Sequence, residues 1–210
     1  MRPLTKARFK TNKAFYNPYS SSKDDLLNAI GEYCSFCERK GFSSALDVEH
    51  IRHKNLHTQR TSLWRNFLLA CKNCNSIKGE KSILNMYFPI VHDTFIIFEY
   101  TEHGEVLVNP AVPLNTTQYE RVVNLINLIG LDRMPGHPQY SIKDKRWSDR
   151  RTTWSLAIKY LTQYQNNNSI IDYVVDLAKQ RGNWSIWMTV FKNEPAVIQR
   201  LKSDFPGTVI

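Results

Sequence analysis

Cys34-Ser35-Phe36-Cys37 and Cys71-Lys72-Asn73-Cys74 use every cysteine of this 210-residue chain. Two CxxC pairs at this separation are the spacing with which a pair of knuckles closes a four-thiolate zinc site. Such a site has no open coordination position, so a zinc held by Cys34, Cys37, Cys71 and Cys74 is structural. Working outward, the pairs bracket Glu49-His50 and Asn66, and Asn75 and Lys78 follow the last cysteine at once. An acid beside a histidine, with an amide and a lysine close behind, is chemistry that a plain zinc ribbon does not need. Histidine can take a proton from water near neutrality, and carboxylate and amide oxygens suit a hard divalent cation such as Mg²⁺ or Mn²⁺.

The three stretches Tyr33 to Glu38 (YCSFCE), Leu46 to Lys54 (LDVEHIRHK) and Arg65 to Lys81 (RNFLLACKNCNSIKGEK) together resemble the HNH endonuclease family. Its name-giving positions correspond to His50, Asn66 and Asn75, the last an asparagine variant of the final histidine, with Glu49 at the acid position. The resemblance implies an α+β fold: a ββα-metal core stapled by the four-cysteine zinc site, followed by a mainly helical C-terminal region. It implies His50 as general base, Asn66 as the residue that orients the base-bearing loop, and Glu49 and Asn75 as Mg²⁺ or Mn²⁺ ligands. Lys78 is expected on the scissile phosphate. Arg52, His53, Lys54, Lys72 and Lys81 are further candidate nucleic-acid contacts.

The blocks EHIRHK, NFLLACKNCNSIKG and LDRMPGHP, with the closing DFPGT, are similar to PtuB-type HNH subunits of Septu anti-phage systems, stand-alone or retron-associated. That resemblance implies a bacterial defence effector partnered by an ATPase of the PtuA kind. In the retron-associated form the partners extend to a reverse transcriptase and its RNA-DNA product. The chain itself has no phosphate-cradling glycine loop, so nucleotide dependence must come from another chain.

Composition agrees with a globular nucleic-acid enzyme. The chain is 42% hydrophobic and 12% aromatic, with a net charge of +9. The charge is uneven: Arg2, Lys6, Arg8, Lys10 and Lys13 stand without an acid in the first 20 residues, and Lys143, Lys145, Arg146, Arg150 and Arg151 cluster later. Basic clusters flanking a core attract a polyphosphate ligand, although such runs also serve as solvated surface. There is no apolar leader after Met1-Arg2-Pro3, and no run approaches the roughly 20 apolar residues of a membrane span. The expected location is the cytoplasm.

Three units are expected: a basic N-terminal arm (1–21) that folds on a partner or on nucleic acid, a nuclease core with knuckles and hairpin (22–110), and a helical region for partner docking (111–210). Within them, Ser22 with Asp25 reads as a capping box for a helix running to the first knuckle. Alternation over 45–50 reads as a strand, 71–84 as a helix, and 93–108 as a hairpin. Thr117 with Glu120 reads as another capping box, with Gly130 ending its helix. Further helices are expected near 148–165, 170–181 and 194–203, with Ser169 and Asn193 as N-caps and Pro195 in a first turn.

Two other readings stay open. The chain could be a zinc-stapled nucleic-acid adaptor without catalysis, although the intact set Glu49, His50, Asn75 and Lys78 argues for an enzyme. It could also be a free-standing restriction or homing-type HNH nuclease. His53 and His57 could join a second metal site with His50, but phosphate or plain loop contacts suit them better. The tryptophans suit core packing better than base stacking.

Overall fold

In the computed structural model, which describes residues 1–7, 9 and 11–209, the expected strand forms β1 (Leu46–His50). It pairs antiparallel with β2 (Phe67–Cys71), setting Leu46 opposite Cys71 and His50 opposite Phe67. Phe67, Leu68, Leu69 and Ala70 are all sealed from solvent, as a short, uninterrupted apolar run requires. Helix α1 (Lys23–Ile30) precedes this hairpin and α2 (Lys72–Lys78) follows it directly. Strand, strand and helix thus stand in the expected ββα order. Helix α2 is shorter than 71–84 because Gly79, at φ +50°, turns the chain where other residues are strained.

The Ser22 capping box does not form. Ser22 is itself helical and its hydroxyl donates to the Tyr19 carbonyl at 2.7 Å, inside a 3-10 turn (Tyr19–Ser22) that already feeds α1. The later hairpin is β3 (Phe98–Tyr100) with β4 (Val106–Val108), shorter than 93–108. Helix α3 (Thr116–Ile129) is capped two residues earlier than expected: Asn115 and Gln118, not Thr117 and Glu120, make the reciprocal box, and Gly130 ends the helix at φ +57°. Asparagine outranks threonine as an N-cap, which decides between the overlapping patterns.

Helices α4 (Arg146–Asn166), α5 (Ile171–Arg181), α6 (Trp184–Val190) and α7 (Pro195–Asp204) complete the chain. The Asn167 side chain accepts from the Ser169 amide at 3.1 Å, so Ser169 is not the cap. Glu194, not Asn193, stands at the N-cap of α7, before Pro195 in its first turn. Helix α6 was not expected. One core joins α1, the knuckles, both hairpins and α3; a second gathers α4 to α7 around Trp184, Trp187 and Phe191. The packing therefore groups α3 with the knuckles.

The described residues of the N-terminal segment lie along the chain's own core. Met1, Arg2, Leu4, Lys6 and Tyr16 are buried. Leu4 bridges Thr208 and Phe15 bridges Leu63. Arg2 donates to the carbonyls of Ile30 and Pro206, each at 2.8 Å. Burial pulls the Lys6 ammonium down to about 7, while Lys6 donates to the Trp64 and Phe67 carbonyls at 2.5 and 2.8 Å. Arg8 and Lys10 lie outside the described residues.

The 143–151 cluster is likewise partly internal. Arg146 and Arg150 are buried, whereas Lys143, Lys145 and Arg151 are exposed. Arg150 reaches the carbonyls of Gly104 and Leu131 at 2.7 and 2.8 Å, tying the later hairpin to the end of α3. Among the described residues no helix is long and apolar enough to cross a membrane.

Candidate active site and metal centre

The two knuckles bring the sulfurs of Cys34, Cys37, Cys71 and Cys74 within 4.8 Å of one another. The Cys37 and Cys71 sulfurs are 3.8 Å apart, far beyond a disulfide bond. A tetrahedral zinc with Zn–S near 2.3 Å spaces its sulfurs by about 3.8 Å, so the donor set fits zinc. Hydrogen bonds among the crowded thiols raise Cys37 and lower Cys71.

A guanidinium closes the centre from the C-terminal side. Arg146 Nη1 donates to Cys74 Sγ at 3.4 Å and to the Ile129 carbonyl at 2.6 Å; Nη2 donates to the Gly130 carbonyl at 2.8 Å. Asp144 accepts from Nη2 at 2.6 Å and from Nε at 2.9 Å. Burial works against the Arg146 charge, but Asp144 and the thiolates more than offset it. The fixed donor fork lets one side chain satisfy an anion and two helix-terminal carbonyls together.

On β1 the alternation of a strand divides the chemistry between two faces. Asp47 and Glu49 meet α2, where Asn75 and Lys78, three residues apart, share a face. Asp47 accepts from Asn75 Nδ2 at 3.0 Å and from Lys72 Nζ at 2.6 Å. Glu49 Oε1 lies 2.5 Å from Lys78 Nζ, and both side chains are sealed. That oxygen has no hydrogen bond of acceptable angle, so the contact is an ion pair and little else. Burial raises the Glu49 carboxyl despite Lys78. At Asp47, burial is outweighed by Lys72 and Asn75, and the carboxyl is lowered.

His50 turns to the other face. Its ring stands edge-on to Tyr19 and Phe67, at centroid distances of 4.7 and 5.2 Å. Nε2 is 2.9 Å from the Thr61 carbonyl. A carbonyl only accepts, so Nε2 carries the proton and Nδ1 keeps the lone pair. Burial lowers the imidazole below its ordinary value, which keeps it neutral near pH 7 with the Nδ1 lone pair free. Asn66 fixes the intervening loop: its Oδ1 accepts from the Arg52 amide at 2.8 Å, and its Nδ2 donates to the Arg52 and Arg60 carbonyls at 2.9 and 3.1 Å. Thr61 is the next residue, so the amide clamp sets the carbonyl that holds His50.

The structure brings Glu49, Asn75 and Lys78 to one face and puts His50 and Asn66 at the strand end, held through the loop. Lys78 does not reach outward to a phosphate: its ammonium is buried on Glu49 and on the His50 carbonyl, 2.8 Å away. Of the further basic candidates, Lys72 and Lys81 are exposed and Arg52 and Lys54 half-buried. Lys54 stands over the Tyr19 ring at 5.0 Å. His53 lies 3.8 Å from Glu80, which also accepts from Asn55 at 2.6 Å. Those contacts tie the loop to the end of α2 and give no metal cluster with His57 or His50. Asp47 is a further candidate that the sequence did not single out; its signal is the two-residue spacing from Glu49, which places both on one strand face.

Asp47, Glu49 and the Asn75 amide oxygen are hard oxygen donors. Their chemistry suits a small hard divalent ion, which would have to displace the Lys72 and Lys78 ammoniums that pair with the two carboxylates here.

Residues 34–81 match the HNH endonuclease family model. The chain is also similar to the Septu protein PtuB of Bacillus thuringiensis, 29% identical over 128 residues that cover 57% of this chain and 49% of that protein. It thus spans about half the length of the relative it matches.

Proposed function

We propose that this HNH-family, PtuB-like chain is a divalent-metal-dependent endonuclease that hydrolyses nucleic-acid phosphodiester bonds. It would serve as the nuclease subunit of a Septu-type defence complex with an ATPase partner of the PtuA kind. The observation that carries the reading is His50: a buried, neutral imidazole with Nε2 bound to Thr61 and Nδ1 left as base. The adaptor alternative has no use for a base prepared in this way.

In this mechanism His50 Nδ1 takes the proton of the attacking water, and Thr61 stabilises the imidazolium that forms. Asn66 keeps that carbonyl in place. Asp47, Glu49 and Asn75 would hold Mg²⁺ or Mn²⁺, which supplies charge stabilisation at the phosphate and the leaving oxygen. Lys78 positions Glu49 and the last peptide of β1. The scissile phosphate lies across the end of β1, the one place that both strand faces reach. The four cysteines and their zinc keep β2 and α2 in register and take no part in bond breaking.

The partner reading rests on the PtuB similarity. It extends to the retron-associated form, where the reverse transcriptase and its product would join the complex. The test is cleavage of a labelled duplex and a structured RNA by purified protein, alone and co-expressed with its genomic neighbour, with Mg²⁺ titrated. Metal-dependent cleavage that a chelator stops while zinc stays bound supports the nuclease. Binding without cleavage under every condition returns the adaptor reading, and full-rate cleavage by the lone chain supports a free-standing enzyme.

A further inference from the structure

We infer that the cavity between the N-terminal segment and the catalytic loop is a subsite for one unpaired nucleotide of the substrate strand. The inference rests on the nuclease reading and adds to it a preference for single-stranded or locally opened nucleic acid. The cavity is an open surface groove of about 730 Å³, and its lining includes Phe9, Asn12, Lys13, Trp64 and Arg65. That size suits a small-molecule unit.

Its chemistry is specific. Phe9 and Trp64, half-buried with ring centroids 6.1 Å apart, offer aromatic surface. Lys13 and Arg65 are exposed at its edge, with the exposed Asn12 amide between them in chemical character. None of the described lining residues is acidic. Aromatic surface for a base, cations for its phosphate and an amide for a base edge are what a single-stranded nucleotide needs. A purely apolar ligand would leave the cations without use, and a cationic one would be repelled.

The position connects the subsite to the reaction. Ring contacts lead from Trp64 to Tyr16 at 5.5 Å, from Tyr16 to Phe67 at 6.4 Å, and from Phe67 to His50 at 5.2 Å. The Tyr16 amide donates to the Ser62 carbonyl at 2.8 Å and the Trp64 amide to the Ala14 carbonyl at 2.9 Å. Beneath the tryptophan, Lys6 Nζ stands 4.6 Å from the ring centroid, bound to the carbonyls on either side of the Asn66 turn. A strand crossing the end of β1 can therefore place a base further along its length here without rearranging the clamp that holds His50. Duplex nucleic acid cannot do so unless a base leaves the stack, which costs energy that an unpaired strand does not pay.

The test measures binding by full-length His50→Ala protein, so that catalysis cannot confound it. The probes are a fluorescent 12-mer single strand, its duplex, and a free mononucleotide as competitor. Lys13→Glu, Arg65→Glu and Phe9→Ala are introduced singly, with zinc content and melting temperature checked. Loss of a stacked base and its charge contacts is expected to weaken single-strand binding about tenfold or more, with less than a twofold change for the duplex. Competition by the mononucleotide at millimolar concentration would assign the cavity to the nucleotide itself. Its failure with the strand effect intact would assign it to a nucleotide held within a chain. Equal losses for strand and duplex, or none for either, overturn the subsite. If the native protein cleaves nothing but the variants still lose single-strand binding selectively, the nuclease reading fails and the subsite stands.

Discussion

Lys78 Nζ lies 2.5 Å from Glu49 Oε1 with both side chains closed to solvent, so the acid beside His50 has an internal counter-ion. Removing only the lysine leaves a buried carboxylate uncompensated. Lys78→Met should lower stability by about 3–5 kcal/mol. The double variant Glu49→Gln/Lys78→Met should recover much of that loss while leaving metal-dependent cleavage abolished. Denaturant unfolding of the two single variants and the double variant checks this; additive losses would mean that the pair is not coupled.

The zinc centre should be part of the fold's stability, because ordering the four ligands and binding the metal are one event. Protein purified without added metal should contain one zinc per chain by elemental analysis. Cys74→Ser should lose it, together with cooperative melting. A zinc-free protein with four free thiols and normal melting would contradict the assignment.

Arg146 joins the second knuckle to the end of α3 through Cys74, Ile129, Gly130 and Asp144. Arg146→Met should destabilise by about 1–3 kcal/mol, since it leaves the half-buried Asp144 carboxylate and the Ile129 and Gly130 carbonyls without their donor. Arg146→Lys should rescue little, because a point ammonium cannot span the anion and both carbonyls. Faster zinc transfer to a chelator should accompany both changes. Unfolding curves with the native midpoint would show that the clamp is dispensable.

The same pair sets an acid limit. At Asp144 burial raises the carboxyl, but Arg146 outweighs it and the folded value is lowered. The unfolded state then binds the proton more readily, so this contribution is complete above the unfolded pKa near 4 and is lost as pH falls through the folded value. Asp144→Asn should therefore flatten the loss of stability below about pH 4, measured by thermal melts across pH. A variant whose stability still falls as steeply as the native protein's would exclude Asp144 as the source.

Much of this was legible in the sequence. The CxxC spacing located the cluster of four thiols, and alternation over 45–50 located the strand because one period governs both pattern and fold. Side-chain direction was less accessible: Lys78 reads as a solvent-facing or phosphate-facing lysine until Glu49 is packed against it. Arg2, Lys6, Arg146 and Arg150 look like a nucleic-acid surface, yet each finds backbone carbonyls of distant segments, which no local pattern encodes. Helix α6 was missed because Trp184 to Val190 is apolar nearly all round and buried, so it has no amphipathic period to read. The N-terminal segment was taken for an arm because its contacts are with residues such as Leu63 and Thr208, far along the chain.

The central claim is that His50 is the base of a phosphodiester hydrolase, and its most direct test is the cleavage rate of His50→Ala at saturating Mg²⁺. The imidazole touches the Thr61 carbonyl and the Tyr19 and Phe67 rings but neither the zinc ligands nor Lys78. The variant should therefore keep its zinc and bind nucleic acid normally. Its rate on the substrate the native protein cuts should fall about 10²- to 10⁴-fold, the usual cost of a lost general base. Cleavage at the native rate by a folded, zinc-loaded His50→Ala protein would contradict the account.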